Sequence, residues 1–130
     1  MQGRFVRIEF YSADAQAAAA VKLYDEDGNE VTLAANERLL IDTLNLFGVA
    51  AVTSAILFDD RAANGTPAAG EYIAVFGNGS NHFEGGPEGF ACMKGAAPKV
   101  KAAAAGIVSV SGSGHIIQNG DSSAAQTWKA

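Results

Sequence analysis

The sequence is poor in the residues that cross-link a chain, bind metals or anchor it in a bilayer. Cys92 is its one cysteine, so no disulfide can form within the chain, and a cysteine-based metal site would need ligands from elsewhere. Cys92 is therefore predicted to be a small buried apolar residue. The apolar run at 47–58 is interrupted by Thr53 and Ser54 and is shorter than the roughly 20 residues of a membrane-spanning helix. The sequence predicts no membrane partner.

Positive charge is also scarce. Nine Lys and Arg residues against 14 Asp and Glu residues give a net charge of −5, the wrong sign for a protein that neutralises nucleic-acid phosphates. We therefore expect no nucleic-acid partner. The start of the chain alternates Arg4, Arg7 and Glu9 with apolar residues, which predicts a strand and not a secretory signal.

Alternation of apolar and polar residues is the main pattern along the chain, and it predicts strands. The predicted strands are 4–11, 18–24, 31–33, 38–47, 50–58, 71–76, 90–93, 99–103 and 107–117. Residues 12–20 are open to two interpretations: a helix capped by Ser12 and favoured by four consecutive alanines, or an extended strand from Ala18, which we prefer. About eight or nine short strands predict an all-β antiparallel β-sandwich, like a jelly roll, over 1–117, with a C-terminal tail over 118–130.

Three segments depart from simple alternation. Residues 38–47 carry apolar side chains on both faces, which predicts that a loop or a neighbouring subunit covers the second face. Residues 77–89 are rich in glycine and predict a long irregular connection, of the kind that often binds something. Serines alternate with Val108, Val110, Gly112 and Gly114, which indicates a solvated face or a close approach of backbones.

Candidate chemistry is sparse. The acidic segment from Asp25 to Glu30 has a carboxylate spacing that could begin a calcium loop, but we favour a solvated hairpin turn because Asp-Gly is a strong turn former. His82 and His115 would form a metal site or an acid–base pair only if the fold brought them to a carboxylate such as Glu84 or Asp42.

The motif searches predict no enzyme and no cofactor. No Gly-x-Ser-x-Gly elbow lies between a strand and a helix, and no Lys-Ser or Lys-Thr pair follows the glycines to make a phosphate loop. A hydrolase remains an alternative if His82 or His115 lies in a cleft beside a carboxylate and a serine.

One stretch of sequence carries a family resemblance. Residues 32–47 read TLAANERLLIDTLNLF, Phe58-Asp59-Asp60 follows the next strand, and residues 97–102 (APKVKA) then lead to 105–110 (AGIVSV). In this order of features the chain resembles small β-sandwich virion proteins of tailed bacteriophages, of the head decoration or cement kind. The resemblance implies a subunit, commonly a homotrimer, that is made in the host cytoplasm and binds the major capsid protein on the capsid surface.

Aromatic residues supply the candidate interface. Phe83 in the glycine-rich connection and Trp128 in the polar tail are the first candidates, followed by Phe5 and Tyr11. A second hypothesis is a carbohydrate- or receptor-binding sandwich of a phage tail or fibre, which would stack Tyr11, Tyr24, Tyr72 or Trp128 on sugar rings.

Overall fold

The computed structural model describes residues 3–50, 52 and 54–118, so Trp128 lies outside the described residues. Within this part the chain forms eleven strands and no helix, and the predicted all-β class is confirmed. The strands are β1 Arg4–Ser12, β2 Ala19–Ala20, β3 Lys22–Tyr24, β4 Glu30–Val31, β5 Glu37–Gly48, β6 Ala55–Phe58, β7 Tyr72–Phe76, β8 Gly79–Glu84, β9 Phe90–Lys94, β10 Lys99–Ala102 and β11 Val108–Gln118. A helix able to cross a membrane is accordingly absent from the described ranges.

The strands form two antiparallel sheets, as a β-sandwich requires. The large sheet has the order β4-β3-β1-β11-β5-β8, with β9 also paired to β5, and the small sheet has the order β2-β10-β6-β7. Their inner faces bury one hydrophobic core, to which the apolar side of β1 contributes Val6, Ile8 and Phe10. Cys92 is buried there as predicted, and burial raises the pKa of its thiol well above the ordinary value.

The strand count exceeds the predicted eight or nine because one predicted strand is split and one further strand, β8, was not predicted. Residues 18–24 extend as expected, with no helix over 12–20, but the chain changes sheets at Val21. The backbone N–H of Val21 donates to the carbonyl of Pro98 at 3.0 Å. Ala19 and Ala20 therefore pair with β10 in the small sheet, whereas Lys22 to Tyr24 pair with β1 in the large sheet.

The prediction of an irregular loop over 77–89 is wrong for its central part. Residues 79–84 form β8, which pairs with residues 43–48 of β5. No apolar alternation marks this strand, because Phe83 is its one large apolar residue. Gly79 begins β8 with a positive φ, and Gly86 and Gly89 adopt positive φ in the turn that follows it. Phe83 thus lies on a strand, half-buried, with its ring edge-on to Phe90 at a centroid distance of 5.8 Å.

A loop covers the second apolar face of β5 at one point. Leu40 is 2% exposed but lies outside the main core cluster, opposite His115 and Ala91. A Cβ added to Gly89 would lie 3.0 Å from the Leu40 Cβ, so the backbone of the 85–89 loop rests on this side chain. Towards the other end of β5 the outer face is open, and Phe47 is 39% exposed.

Gly112 permits the close approach of β11 to β5 that the sequence indicated. A Cβ at Gly112 would clash with the carbonyl oxygen of Thr43 and lie 2.9 Å from the Cα of Leu44. Because these are backbone atoms, a side chain could be accommodated only if the two strands moved apart.

We expect Gly112→Ala to lower the free energy of unfolding by about 1–3 kcal/mol, the usual cost of overpacking. Ser111→Ala, the adjacent and solvent-exposed position, should stay within about 0.5 kcal/mol of the parent protein. Urea denaturation followed by intrinsic fluorescence measures both. Equal stability of the two variants would contradict the assigned close contact.

Candidate functional site

The outer face of the large sheet presents polar side chains in matched rows. The rows are Arg7, Ser113, Thr43 and Glu84; Glu9, Ser111, Asn45 and His82; and Tyr11, Ser109, Phe47 and Ser80. In each row the residue from β11 is a serine. These short side chains leave a shallow furrow along β11, between the longer side chains of β1 and β5. The prediction of a solvated face on β11 is confirmed.

Each histidine lies beside the kind of carboxylate that the sequence reasoning required. On β8, the His82 imidazole contacts Glu84 through Nε2 and the Asn45 side-chain oxygen through Nδ1 at 3.1 Å. The Nδ1 atom of His115 is 2.8 Å from Asp42 Oδ2, and Phe5 packs edge-on against its ring at 6.0 Å.

The two histidine pairs do not form one site. His115 pairs with Leu40, whereas His82 pairs with Asn45, which places the imidazoles on different rows of the open face. No serine hydroxyl bonds to either ring in the part of the chain that the structure describes. No group of three metal-binding side chains occurs there either. Both pairs are substantially exposed, where an ion pair contributes at most about 1 kcal/mol.

The acidic segment at 25–30 is a hairpin turn between β3 and β4, as we favoured. The Asp25 carboxylate accepts hydrogen bonds from the backbone N–H groups of Asp27 and Asn29, both at 2.9 Å. Gly28 adopts a φ of 86°, which a residue without a side chain tolerates. Both bonds go to Oδ1, so this carboxylate oxygen caps the turn. Calcium binding here stays a prediction of the sequence.

A groove opens where β3 leaves β1. Because β3 pairs only with residues 7–9 of β1, the strand position beside residues 10–12 is empty in the described structure. The groove has a volume of about 550 Å³, and its lining includes Glu9, Tyr11, Lys22, Tyr24, Ser109 and Ser111. We call these six residues and the space between them the tyrosine groove.

The structure thus brings together two of the four aromatic residues named for a glycan platform. Tyr11 is 68% exposed, and Tyr24 is half-buried with the Arg7 guanidinium 5.7 Å from its ring centroid. Tyr72 lies on β7 in the other sheet. Sequence reasoning did not single out Lys22 or Ser109, although the same alternation that directs Tyr11 outward directs their side chains outward.

Buried carboxylates organise the loop between β6 and β7. The Asp60 carboxylate accepts hydrogen bonds from the N–H groups of Asn64 and Gly65 and from the Lys99 ammonium at 2.7 Å. Glu71 accepts two more backbone N–H groups, from Ala62 and Ala68. These side chains are occupied in holding the loop, so we assign them no catalytic function.

The two neighbouring aspartates have opposite pKa displacements. The hydrogen bond from Lys99 is the main cause that lowers the pKa of Asp60, whereas burial raises the pKa of Asp59. Asp59 Oδ1 is buried without a partner among the described residues, and its other oxygen meets Arg61 at 3.5 Å.

The β7 edge is the least protected margin of the sandwich. Its five residues carry no charge, Tyr72 is 49% exposed, Val75 is 60% exposed, and β6 is its one partner within the described ranges. The edge strands β2 and β4 have two residues each, and the edge formed by β8 and β9 is broken by the 85–89 loop and carries Glu84 and Lys94. Short length, irregular pairing and charge are the usual protections against edge pairing. β7 carries no charge, and its pairing has one irregularity, which leaves Ile73 without a partner on β6.

No protein-family model matches this chain, and no curated protein matches it. The fold alone defines the class of protein: an antiparallel β-sandwich of two unequal sheets. Its candidate functional surfaces are the β7 edge and the tyrosine groove.

We expect Asp60→Asn to lower the free energy of unfolding at pH 7, because the Lys99 ammonium loses its carboxylate partner. A lowered folded-state pKa stabilises the fold above the ordinary Asp pKa of 3.8, and this contribution is lost as the pH falls through the folded-state value. The deficit of the variant should therefore shrink below about pH 3.8. Urea denaturation at pH 7, 5 and 3 measures it.

Asp59→Asn is the matched control for this experiment. Because burial raises the pKa of Asp59, its ionisation opposes folding, and the stability of this variant relative to the parent should rise with pH. An Asp60→Asn deficit that is the same at pH 3 and pH 7 would show that the Lys99 contact is not electrostatic.

Proposed function

We propose that this chain is a non-enzymatic structural protein of a tailed-bacteriophage virion. In this proposal it is a decoration or cement subunit that binds the major capsid protein and stabilises the head shell. The observation that carries the proposal is the open, uncharged β7 edge, which suits a protein that functions by assembling. The family resemblance of the sequence supports the same class.

The segments that carry the resemblance occupy central positions in the fold. Residues 32–47 form the corner before β5 and most of that strand, which pairs with three others in the large sheet. Residues 97–102 lead into and form β10 of the small sheet, and 105–110 begin β11. The resemblance therefore lies in the framework of the sandwich, whereas its edges remain available for contacts specific to this chain.

The β7 edge offers both backbone and side-chain contacts to a neighbour. An unpaired strand edge presents N–H and C=O groups that another chain can bind by strand addition. Val75 lies opposite Ile56, and Tyr72 lies opposite Phe58, so the exposed apolar side chains share the outer face of the small sheet. Covering them would add hydrophobic stabilisation to the hydrogen bonds.

The proposed assembly is a homotrimer. A ring of three requires a heterologous contact, in which β7 of each subunit meets a different surface of the next and the rotation closes the ring. Three chains of 13.3 kDa give a particle of about 40 kDa. Phe5 and Tyr11 on the large sheet, Phe83 and Trp128 stay candidates for contacts with the capsid.

We expect Val75→Lys to convert the assembled protein to monomers. A lysine ammonium on the free edge would have to be desolvated in the subunit contact, while in the isolated subunit this 60% exposed position leaves it in water. Thr32→Lys, which adds the same charge at an exposed position outside the small sheet, is the control and should leave the assembly intact. Sedimentation equilibrium measures the mass of each.

A parent protein that stays at 13.3 kDa at high micromolar concentration would overturn the assembly proposal. Equal masses for Val75→Lys and the parent would show that β7 is not the contact.

Binding to the shell is tested by co-sedimentation with capsids of the phage that encodes the chain. The parent protein should saturate at a fixed number of copies per capsid, and Val75→Lys should bind at least about tenfold more weakly, because a trimer engages several capsid sites at once. Thr32→Lys should bind as the parent does. Absence of the parent protein from the capsid pellet would exclude the cement function.

A further inference from the structure

We infer that the tyrosine groove binds a neutral saccharide chain. This function goes beyond the proposed assembly and does not depend on it. The groove lies where β2 and β3 part, and β2 and β7 are the two opposite edges of the small sheet. Pairing at the β7 edge therefore leaves the groove open, whereas a capsid contact through Tyr11 would close it.

The size and shape of the groove fit an extended ligand. Its volume of about 550 Å³ is within the range of small-molecule sites. Tyr24 lies opposite Arg7, and Tyr11 lies four residues further along β1, which separates the two tyrosines by about 13 Å along the strand. That distance exceeds one sugar ring, so we assign the groove to a chain of at least two rings.

The lining combines an aromatic surface with both kinds of hydrogen-bonding group. Glu9 supplies carboxylate acceptors, Lys22 supplies ammonium donors, and the hydroxyls of Ser109 and Ser111 do both. Sugar hydroxyls need donors and acceptors together, while the C–H faces of the rings pack on exposed aromatic rings such as that of Tyr11. The groove provides each of these in one place.

Part of the lining is held in position before any ligand arrives. The Glu9 carboxylate meets the Arg7 guanidinium at 3.0 Å, and that guanidinium also lies over the ring of Tyr24. The Tyr11 backbone is fixed by pairing with Ser109 of β11. The paired strand backbone is the rigid part of this lining, and a rigid surface loses less conformational entropy on binding than a flexible one.

Other ligand classes fit the lining less well. An anion such as phosphate would meet one cationic side chain in the lining, Lys22, and this residue lies opposite the Glu9 carboxylate, while the guanidinium of Arg7 is already paired with Glu9. A purely apolar ligand would remove Glu9 and Lys22 from water without replacing their hydrogen bonds. An extended peptide would find only residues 10–12 of β1 free for strand pairing, and the backbone N–H of Asp14 folds back onto the Ser12 hydroxyl at 3.1 Å.

The inference is tested by titrating the purified protein with four neutral tetrasaccharides: cellotetraose, maltotetraose, mannotetraose and chitotetraose. Binding is followed by two-dimensional amide NMR and isothermal titration calorimetry. We expect at least one to bind with a Kd in the millimolar range or below and to shift the amide signals of Tyr11, Lys22 and Ser111.

Two matched tyrosine variants distinguish binding in the groove from non-specific binding of sugars to exposed aromatic rings. Tyr11→Ala should weaken binding of that tetrasaccharide by at least about tenfold, because the exposed ring supplies the packing surface. Tyr72→Ala removes another exposed tyrosine, from the opposite sheet, and should leave the Kd unchanged.

Three results would overturn the inference: no tetrasaccharide binding up to 10 mM, an equal loss in Tyr72→Ala, or tighter binding of inorganic phosphate than of any sugar. The mass of Tyr11→Ala, measured in parallel, should equal that of the parent. Failure of sugar binding with an intact assembly would thus leave the proposed virion function standing, and the reverse result would leave the saccharide site standing.

Discussion

The long pairing of β11 with β5 is the interaction on which the other features of the large sheet depend. It runs from Val108–Gly48 to Gln118–Glu37 and contains a single register shift, between Ser113 and Gly114. Gly112 and Gly114 allow the two backbones to approach, because a Cβ at either position would clash with a carbonyl oxygen of β5. The shift leaves Asp42 without a partner on β11, and this extra residue is the one whose carboxylate meets His115.

That register determines which side chains of β11 lie on the buried face and which lie on the exposed face. A slip by one residue would exchange the buried and exposed sets of β11, so the apolar requirement of Val108, Val110 and Ile116 fixes the serines on the outer face. The same register carries through β1 to β3, which sets Glu9 opposite Lys22 and thereby defines one wall of the tyrosine groove. Packing in the core thus determines which polar side chains line the groove.

The alternation of polar and apolar residues predicted those features that depend on a single strand. It identified β1, β5 and the solvated face of β11, and it named both carboxylates that meet the histidines. It missed β8, because Phe83 is the one large apolar residue of that strand and leaves no alternation to detect. It merged β2 with β3, because a change of sheet at Val21 leaves no mark on apolar periodicity. The placement of Tyr11 and Tyr24 along one groove depends on the pairing of β1 with β3, which is non-local and could not be predicted from either strand alone.

The order of strands in the two sheets separates the two proposed surfaces. In the small sheet β10 and β6 lie between β2 and β7, so pairing at β7 extends the sheet away from the tyrosine groove. A single groove with an affinity in the millimolar range would be occupied only at high sugar concentrations. A shell that displays many copies of the groove would bind a polysaccharide more tightly than a single groove does. Once one groove holds the polysaccharide, the neighbouring grooves meet it at a high effective concentration. Assembly through the β7 edge and weak saccharide binding beside the β2 edge are therefore compatible. The assembly would make the weak binding effective.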